Sequence, residues 1–333
     1  MHRSALFLLA LLLSVPVAAS AQGTLLVGNK SDDTVWRLSL DDGSRVAGFA
    51  SGAGPHEIAV AADGRTAVVT DYGQQQPGHS LTVLDLAGNG APRSIDLGEH
   101  GRPHGVRFLP GGSEVLVTTE HSHALLRVDL AQGVAQAIDV GGGVGHMVAL
   151  SRDGAIAYVS KIAAGKVLRV DLAAGAVTHE VAAGEGAEGI EVAPDGSVWV
   201  ANRAEDTVTV HHPDTLARID TLESPGFPIR VVFTPDGRHA LVTNAMAATM
   251  SVFDAAARTH VATVALRPEG AEAGRSMLGQ GPMPIGAIAD PLRPRAYVAI
   301  SGGDRIAVVD TTDWRVLDYW PTGRQPAALA LAP

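Results

Sequence analysis

The sequence predicts an all-β fold, a seven-bladed β-propeller in which each blade contains four antiparallel strands. Three observations predict it: a turn motif that recurs about every 42 residues, four short β-rich segments in each repeat, and a repeat divided between the two ends of the chain. Repeats of about 40–45 residues with four strands each are typical of propeller blades. We therefore expect a single propeller domain over residues 22–333, closed into a ring.

The repeat is marked by an Asp-Gly or related turn after the first strand of each unit. The last glycine of this turn recurs at intervals of 48, 42, 42 and 41 residues, at Gly64, Gly112, Gly154, Gly196 and Gly237. A degenerate sixth turn follows at residues 290–294, and a Gly/Pro-rich insertion over about residues 267–284 widens the gap before it. Long loops in compact folds are usually functional or disordered, so this insertion is a candidate lid or partner-docking loop.

Each unit repeats the same order of strands around its turn. An apolar strand such as 58–60 precedes the turn, a β-branched strand such as 67–70 follows it, and a third strand ends in an aspartate such as Asp85. A weaker fourth strand, for example 135–138, completes the unit. Short β-branched runs bounded by turn residues are typical of strands. Because no segment has a sustained helical period, an α/β fold is disfavoured.

The two ends of the chain together supply one blade. Residues 323–333 begin a unit and stop before its turn, and residues 25–38 supply strands that this unit lacks. Six complete units and the divided one predict seven blades. Pairing the first strand with the last closes the ring and protects sheet edges that would otherwise promote aggregation. An open β-solenoid of the same period would not explain the divided repeat.

The first 21 residues have the layout of a secretory signal peptide. A basic start at His2 and Arg3 precedes an apolar run over residues 5–13 and an Ala-Ser-Ala cleavage motif at 19–21. The apolar run is shorter than the roughly 20 residues that a membrane-spanning helix needs. The sequence therefore predicts a cleaved signal peptide at 1–21, with an uncleaved anchor as the alternative. We expect a periplasmic or secreted bacterial protein without a membrane span after cleavage.

Composition and charge exclude several classes of protein. The chain has no cysteine, so it has no disulfide, no thiolate metal site, no cysteine nucleophile and no covalently attached c-type haem. The formal net charge of −10 disfavours nucleic acid as a partner, since nucleic-acid-binding surfaces are basic. Of the 25 basic residues only Lys30, Lys161 and Lys166 are lysines. A closed monomeric ring is the expected oligomeric state.

Aligning the units places three histidines and a glutamate at one equivalent position, in the loop before the first strand. The seven units carry, in order, His56, His104, His146, Glu188, Ile229, Ile285 and Ala327. Because the ring brings these loops to one end of the central channel, we expect the side chains to converge.

Neutral imidazoles and carboxylates are ligands for zinc, copper, iron or manganese. We therefore predict a metal site at His56, His104 and His146, with Glu188 as fourth ligand or catalytic base. Repeats share residues by descent, and histidines that only cap loops would give the same pattern, so a structural role remains the alternative.

The loops between the second and third strands open on the same face. Glu120 and His121 flank the His104 unit and are candidates to orient a metal ligand or to act as a general acid/base pair. The candidate ligand-binding residues are Tyr72, Lys161, Arg203 and Asn244, of which Lys161 and Arg203 suit a carboxylate or phosphate. Pairing of Arg203 with Glu205 or Asp206 is the alternative, and Lys30 is expected to be a solvated loop tip.

The repeat resembles the YVTN-type β-propeller family. The family's signature strand corresponds to Tyr158-Val159-Ser160-Lys161, Tyr297-Val298-Ala299-Ile300 and Leu241-Val242-Thr243-Asn244. The resemblance covers nearly all of residues 24–333 and implies an exported seven-bladed propeller. That architecture is similar to those of streptogramin lyases, lactonases and the haem-binding propellers of nitrite reductases, so the fold alone does not select a chemistry.

Two hypotheses for function follow. The first is a metal-dependent hydrolase, lactonase or lyase that acts on a small molecule at the histidine-lined channel mouth. The second is a non-catalytic propeller that binds a metal, a cofactor or an envelope protein there, with noncovalent haem a less favoured ligand. The glycine-rich segment 184–189 matches the dinucleotide-binding spacing, but it precedes a strand rather than joining a strand to a helix, so it does not predict nucleotide binding.

Overall fold

The structure, a computed structural model, describes residues 23–88, 90–267, 274–276 and 278–333. The predicted signal peptide and part of the predicted insertion lie outside these residues. Across the described chain, seven antiparallel sheets of four strands each form the blades, which confirms the predicted fold and blade number. No helix in these ranges is long and apolar enough to cross a membrane.

Each blade contributes one strand at each of four distances from the central axis. The inner strands are β4 (Pro55–Val60), β8 (Pro103–Phe108), β12 (Gly145–Leu150), β16 (Ala187–Val192), β20 (Pro228–Phe233), β26 (Pro284–Ala289) and β30 (Pro326–Ala332). The second strands are β1 (Thr24–Asn29), β5 (Thr66–Gly73), β9 (Glu114–Thr119), β13 (Ile156–Lys161), β17 (Val198–Asn202), β21 (His239–Asn244) and β27 (Arg295–Ile300).

The outer half of each blade completes the sheet. The third strands are β2 (Thr34–Ser39), β6 (Pro77–Asp85), β10 (Ala124–Asp129), β14 (Lys166–Asp171), β18 (Thr207–His211), β22 (Thr249–Asp254) and β28 (Arg305–Asp310). The outermost strands are β3 (Arg45–Ala50), β7 (Arg93–Asp96), β11 (Gly133–Asp139), β15 (Ala176–Ala182), β19 (Arg218–Glu223), β23 (Thr259–Ala265) and β29 (Arg315–Pro321). A short hairpin, β24 (Arg275–Ser276) and β25 (Gly279–Gln280), lies in the predicted insertion, and a 3-10 turn spans Ser301–Gly303.

The inner strands contact one another in a closed circle, in the order β30, β4, β8, β12, β16, β20, β26 and back to β30. In the closing blade β30 pairs antiparallel with β1, from Thr24 opposite Ala332 to Asn29 opposite Pro326. The two ends of the chain therefore complete one blade, as the divided repeat predicted.

The hydrophobic core is divided among the interfaces between adjacent blades. Between the closing blade and the next one, for example, Leu26 and Ala330 pack with Ile58 and Val69. The second strands are covered on both faces, and all five residues of β17 are buried. This explains why these strands are continuous apolar runs rather than alternating ones.

Aspartates hold the turns that mark the repeat. In the turn between β4 and β5 the carboxylate of Asp63 accepts the backbone N–H of Arg65 at 2.9 Å, and Gly64 has a φ of +70°. After β6 the carboxylate of Asp85 accepts the N–H groups of Ala87 and Gly88, each at 3.0 Å. Aspartate favours such turns because its short side chain replaces a backbone acceptor.

Every inner strand carries a β-bulge near its start. In β4, Pro55 pairs with Asp71 and Ile58 with Val69, so His56 and Glu57 together oppose one residue of β5. The same irregularity occurs in the other inner strands. The aligned residues predicted to lie in loops are therefore the second residues of the inner strands, where a bulge re-aims the side chain.

Close approach between inner strands predicts that Gly286→Ala destabilises the ring. A Cβ at Gly286 would lie 2.1 Å from the carbonyl oxygen of Ala327, a backbone atom that cannot move aside cheaply. We expect the substitution to lower the free energy of unfolding by about 1–3 kcal/mol in urea titrations. Gly142→Ala is the matched control, because a Cβ there meets nothing within 4 Å. Equal losses in the two variants would contradict the packing described.

Candidate functional site

One end of the central channel opens into a cavity of about 280 Å³. The second residue of every inner strand lines it, namely His56, His104, His146, Glu188, Ile229, Ile285 and Ala327. Four consecutive blades thus supply a polar wall and the other three an apolar wall, which Leu278 of the insertion extends. The structure brings together the residues that the repeat alignment placed at one position.

The loops that follow the second strands add polar groups to the same cavity. Four such residues line the cavity, each at the end of a second strand: Tyr72 lies within the end of its strand, and Lys30, Glu120 and Arg203 come directly after the ends of theirs. Tyr72, Glu120 and Arg203 were predicted as site residues. Lys30 was expected to be a solvated loop tip, but it is 6% exposed.

The three histidine rings form a stack along the polar wall. The centroid of the His104 ring lies 3.6 Å from that of His146 and 4.1 Å from that of His56. The Tyr72 ring packs against the outer end of this stack, 4.8 Å from His56. His104 is therefore the central member, in contact with both of the other imidazoles.

Hydroxyl groups on the second strands fix the backbone of the site. The Thr70 hydroxyl accepts the N–H of Glu57 at 3.0 Å and donates to the carbonyl of His104, in the next blade, at 2.9 Å. Thr118 accepts the N–H of Gly105 and donates to the carbonyl of His146 in the same way. Each hydroxyl therefore ties the bulge of its own blade to the site residue of the next.

His146 is held between two glutamates. Its Nδ1 lies 2.7 Å from Oε1 of Glu120, and its Nε2 lies 3.5 Å from Oε1 of Glu188. Tyr72 donates its hydroxyl to Glu120 at 2.6 Å, and Arg203 donates to Glu188 at 2.8 Å. Burial alone would lower the pKa of His146, but the hydrogen bonds and charges of the two glutamates outweigh burial and raise this pKa to about 9.

His56 and His104 differ from His146 because neither ring has a carboxylate hydrogen bond. Among the described residues, Nδ1 of each is buried without a hydrogen-bond partner. Burial holds the pKa of both well below the usual value, and nearby positive charge on His146 and Lys30 acts in the same direction. Both imidazoles are therefore neutral at neutral pH, with a nitrogen lone pair free to bind a metal ion.

Two groups of side chains in the described chain bring candidate metal ligands within 4.8 Å of one another. One is His104, Glu120 and His146, and the other is His56, Glu57 and His104. The three predicted histidines are therefore shared between two groups, each completed by a glutamate. Histidine and carboxylate donors together suit a divalent or transition metal ion, and the unpartnered nitrogens fit such a role.

Glu57 was not predicted as a site residue. It is buried and forms an ion pair with Arg230, which links the inner strands β4 and β20 across the ring. The bulge explains its position, because His56 and Glu57 both leave the ladder at this point. A carboxylate directly after a site histidine is the sequence signal that could have found it.

Three predicted residues lie outside the cavity wall. Lys161 is buried at the end of β13, where its ammonium donates to the carbonyl of Val140 at 3.0 Å and pairs with Glu180 at 3.3 Å. The Asn244 amide is buried within its own blade, where it donates to Ser251 at 2.8 Å. His121 is exposed and does not line the cavity.

Strand register explains these differences. Lys161 and Asn244 are paired residues, opposite Gly145 and Pro228, at the ends of their strands. After Lys161, the next residue, Ile162, lines the cavity, as Arg203 does after Asn202. Successive side chains of a strand point to opposite faces, so one position separates a cavity-lining residue from a buried structural one.

The Lys30 ammonium has no hydrogen bond or ion pair within the described residues. Its Nζ lies 4.7 Å from the centroid of the Tyr72 ring. Burial lowers the pKa of Lys30 to about 7, with a smaller contribution in the same direction from Arg102 and opposing ones from Glu120 and Glu57. The alignment with Tyr72, Glu120 and Arg203 is the signal that could have placed Lys30 in the site.

Lys30→Met is expected to stabilise the protein in a pH-dependent way. The folded state holds Lys30 at a pKa of about 7, against about 10.4 in the unfolded chain. Between about pH 7 and 10.4 the unfolded state of the wild type binds more protons than the folded state. The free energy of unfolding of the wild type therefore rises with pH relative to that of the variant. Below pH 7 we expect this linkage to favour the variant by about 4–5 kcal/mol, an advantage that shrinks toward pH 10. Urea titrations at pH 6, 8 and 10 measure it, and a difference that is constant with pH would contradict the burial of this amine.

No protein-family model and no curated protein matches the sequence. Solved structures that share the fold include a protein of unknown function from Desulfotomaculum acetoxidans DSM 771, with a TM-score of 0.76, 15% identity and coverage of 93% of this chain and 98% of that one. Hydrazine synthase from Kuenenia stuttgartiensis matches with a TM-score of 0.72 and 17% identity, over 86% of this chain and 92% of that one.

A provisionally named 6-phosphogluconolactonase from Bacteroides fragilis NCTC 9343 has a TM-score of 0.75 and 15% identity, over 96% of this chain and 100% of that one. At these identities the likeness shows the fold alone. The chain is thus a seven-bladed β-propeller with a histidine- and glutamate-lined cavity at one end of its channel.

Proposed function

We propose that the protein is an exported, metal-dependent hydrolase or lyase that acts on a small molecule in this cavity. The observation that carries the proposal is the convergence of His104, His146 and Glu120, whose candidate ligand atoms lie within 4.8 Å of one another. His56 is stacked beside them, and its buried Nδ1 has no hydrogen-bond partner in the described part of the chain. We also propose membership of the YVTN-type family, a periplasmic or secreted location and a monomeric state.

The groups around the candidate ligands support a metal centre. A histidine that binds a metal usually directs its other ring nitrogen to a carboxylate, so Glu120, at Nδ1 of His146, would either bind the ion itself or hold this ring for binding through Nε2. Glu188 then stands 3.5 Å from Nε2, close enough to serve as a fourth ligand or a base. Metal binding would displace the proton that these glutamates hold on His146, so affinity should increase with pH.

The remaining residues would bind the substrate and move protons. A bound divalent ion supplies a Lewis acid that polarises a carbonyl oxygen or lowers the pKa of water. His146 and Arg203 keep the pKa of Glu188 below its usual value despite burial, so this carboxylate is ionised and would be available to a metal ion or a cationic group. Ile229 and Ile285 would hold the apolar part of the substrate and exclude water.

The cavity limits the substrate to a small molecule with one polar and one apolar side. The lactonase name carried by the Bacteroides fragilis structure makes lactones a reasonable first choice for assay. The alternative is a propeller that binds a metal, a cofactor or an envelope protein without catalysis. The buried, polar character of the histidine wall supports a small ligand over a protein partner.

Metal analysis and a substrate panel test the proposal. The purified protein is loaded with zinc, manganese, copper or iron, desalted and assayed on lactones and esters, beside a His56→Ala/His104→Ala/His146→Ala variant whose folding is checked by circular dichroism. We expect one equivalent of metal and chelator-sensitive turnover that the folded variant lacks. Equal background metal in both proteins would overturn the metal site. Stoichiometric metal without turnover on any substrate would favour the non-catalytic alternative.

A further inference from the structure

We propose that Lys30 is a nucleophilic amine that captures a small aldehyde or ketone in the cavity as an imine. This inference goes beyond the proposed function and does not require the metal. It starts from one contrast in the site. Arg203, His146 and the glutamates are joined by hydrogen bonds, whereas the Lys30 amine has none to any described residue.

The backbone around Lys30 is fixed, while its amine has no polar partner among the residues that the structure describes. Its N–H donates to the carbonyl of Gln325 at 3.0 Å, which holds the start of the loop after β1. The side chain is nine-tenths buried, lines the cavity and places Nζ over the Tyr72 ring. An amine in this position lacks the hydrogen bonds that normally stabilise a buried ammonium. Within the described chain, the amine is therefore open to a polar group that enters the cavity.

The charges that face Lys30 do not compensate for its burial. Glu120 and Glu57 favour the ammonium form, but Glu120 already accepts from Tyr72 and His146, and Glu57 is paired with Arg230. The guanidinium of Arg102 also lies over the Tyr72 ring, with its carbon 4.7 Å from the ring centroid, and its charge opposes the ammonium form of Lys30. With its pKa lowered to about 7, the amine is substantially neutral at neutral pH and carries a free lone pair.

The chemistry needs no co-reactant beyond the carbonyl compound. The Lys30 nitrogen attacks the carbonyl carbon, the N–C bond forms, and a proton moves from nitrogen to the carbonyl oxygen to give a carbinolamine. The C–O bond then breaks, the oxygen leaves as water with a second proton from nitrogen, and a C=N bond remains. Amine and carbonyl compound therefore become imine and water, with no change of oxidation state.

The other lysines provide internal controls. The sequence contains only Lys161 and Lys166 besides Lys30. Both pair with Glu180, at 3.3 Å and 3.1 Å, and the Lys166 side chain is 45% exposed. An ordinary exposed lysine is neutral at pH 7 to only about one part in two thousand, so it reacts slowly with carbonyl compounds. Selective reaction at Lys30 is therefore measurable within one molecule.

Imine trapping tests the proposal. The purified protein is treated at pH 7 with glyoxylate and cyanoborohydride, which reduces an imine to a stable carboxymethyl-lysine, and peptide mass spectrometry follows each lysine. We expect Lys30 to react at least about tenfold faster than Lys166. A Lys166→Arg variant should keep the label at Lys30, and Lys30→Met should lose it.

Two further arms separate this inference from the metal site and from misfolding. Labelling of Lys30 should persist in the presence of a chelator and in the histidine triple variant, whether or not the metal proposal holds. In urea the preference for Lys30 over Lys166 should disappear in the wild-type chain, which removes any reliance on a variant that fails to fold. Equal rates at Lys30 and Lys166 in the folded wild-type protein would overturn the proposal.

Discussion

Removing the final strand, residues 326–333, is expected to abolish cooperative unfolding. This strand, β30, is the inner strand of the closing blade, pairs along β1 and contacts the inner strands β4 and β26. Ala328, Ala330 and Ala332 are buried in the cluster that joins the closing blade to its neighbour. Its loss would open the ring, uncover two blade interfaces and expose the edge of β1.

The expected cost exceeds the whole stability of a typical domain, about 5–15 kcal/mol. We therefore expect thermal unfolding by circular dichroism to lose its sharp transition and gel filtration to show aggregated protein. Removal of Pro333 alone, an exposed residue, is the control and should leave the transition in place. A truncated chain that unfolds sharply near the wild-type midpoint would contradict closure by the shared blade.

His104→Ala is expected to cause the largest loss of metal affinity of any single histidine substitution in the cavity. His104 belongs to both groups of candidate ligands, whereas His56 and His146 each belong to one. It also lies between the other two rings in the stack, so its removal leaves a gap beside both. We expect the metal affinity to fall by at least about 100-fold. Loss of a residue that only orients a metal ligand reduces affinity by up to about this factor, and loss of a ligand itself should cost at least as much.

Isothermal titration with zinc and manganese measures this effect. His121→Ala is the matched control, since His121 is a histidine of the adjacent loop that is exposed and outside the cavity. The metal affinity of the His121→Ala variant should match that of the wild type. If both variants lose affinity equally, or neither does, His104 is not the shared ligand.

The fold could be predicted because its determinants are local and repeated. Asp63 and Gly64 specify the turn after the inner strand, and Asp85 specifies the turn after the third strand. The same pair of turns recurs in other blades with aspartates such as Asp153 and Asp171. Even the division of a blade between the two ends followed from counting these turns.

The site could be predicted only where the repeat position carries the information. His56, His104, His146 and Glu188 converge because each is the second residue of an inner strand. Predicting which loop residues line the cavity requires the exact end of each second strand. An error of one position selects a buried structural side chain, such as Lys161, instead of the side chain that lines the cavity.

The partners of the site residues depend on contacts between distant blades. No local pattern indicates that Glu120 accepts from Tyr72, 48 positions earlier, or that Glu57 pairs with Arg230, 173 positions later. These contacts determine which histidine carries a proton and which stays neutral. The chemical character of the cavity therefore became apparent only from the folded ring.

Anomalous diffraction from crystals soaked in zinc or manganese tests the central claim most directly. The account predicts an anomalous peak inside the cavity, about 2.0–2.2 Å from imidazole nitrogens of His104 and His146. A fully soaked crystal with anomalous peaks only on the outer surface, and none beside these rings, would contradict it.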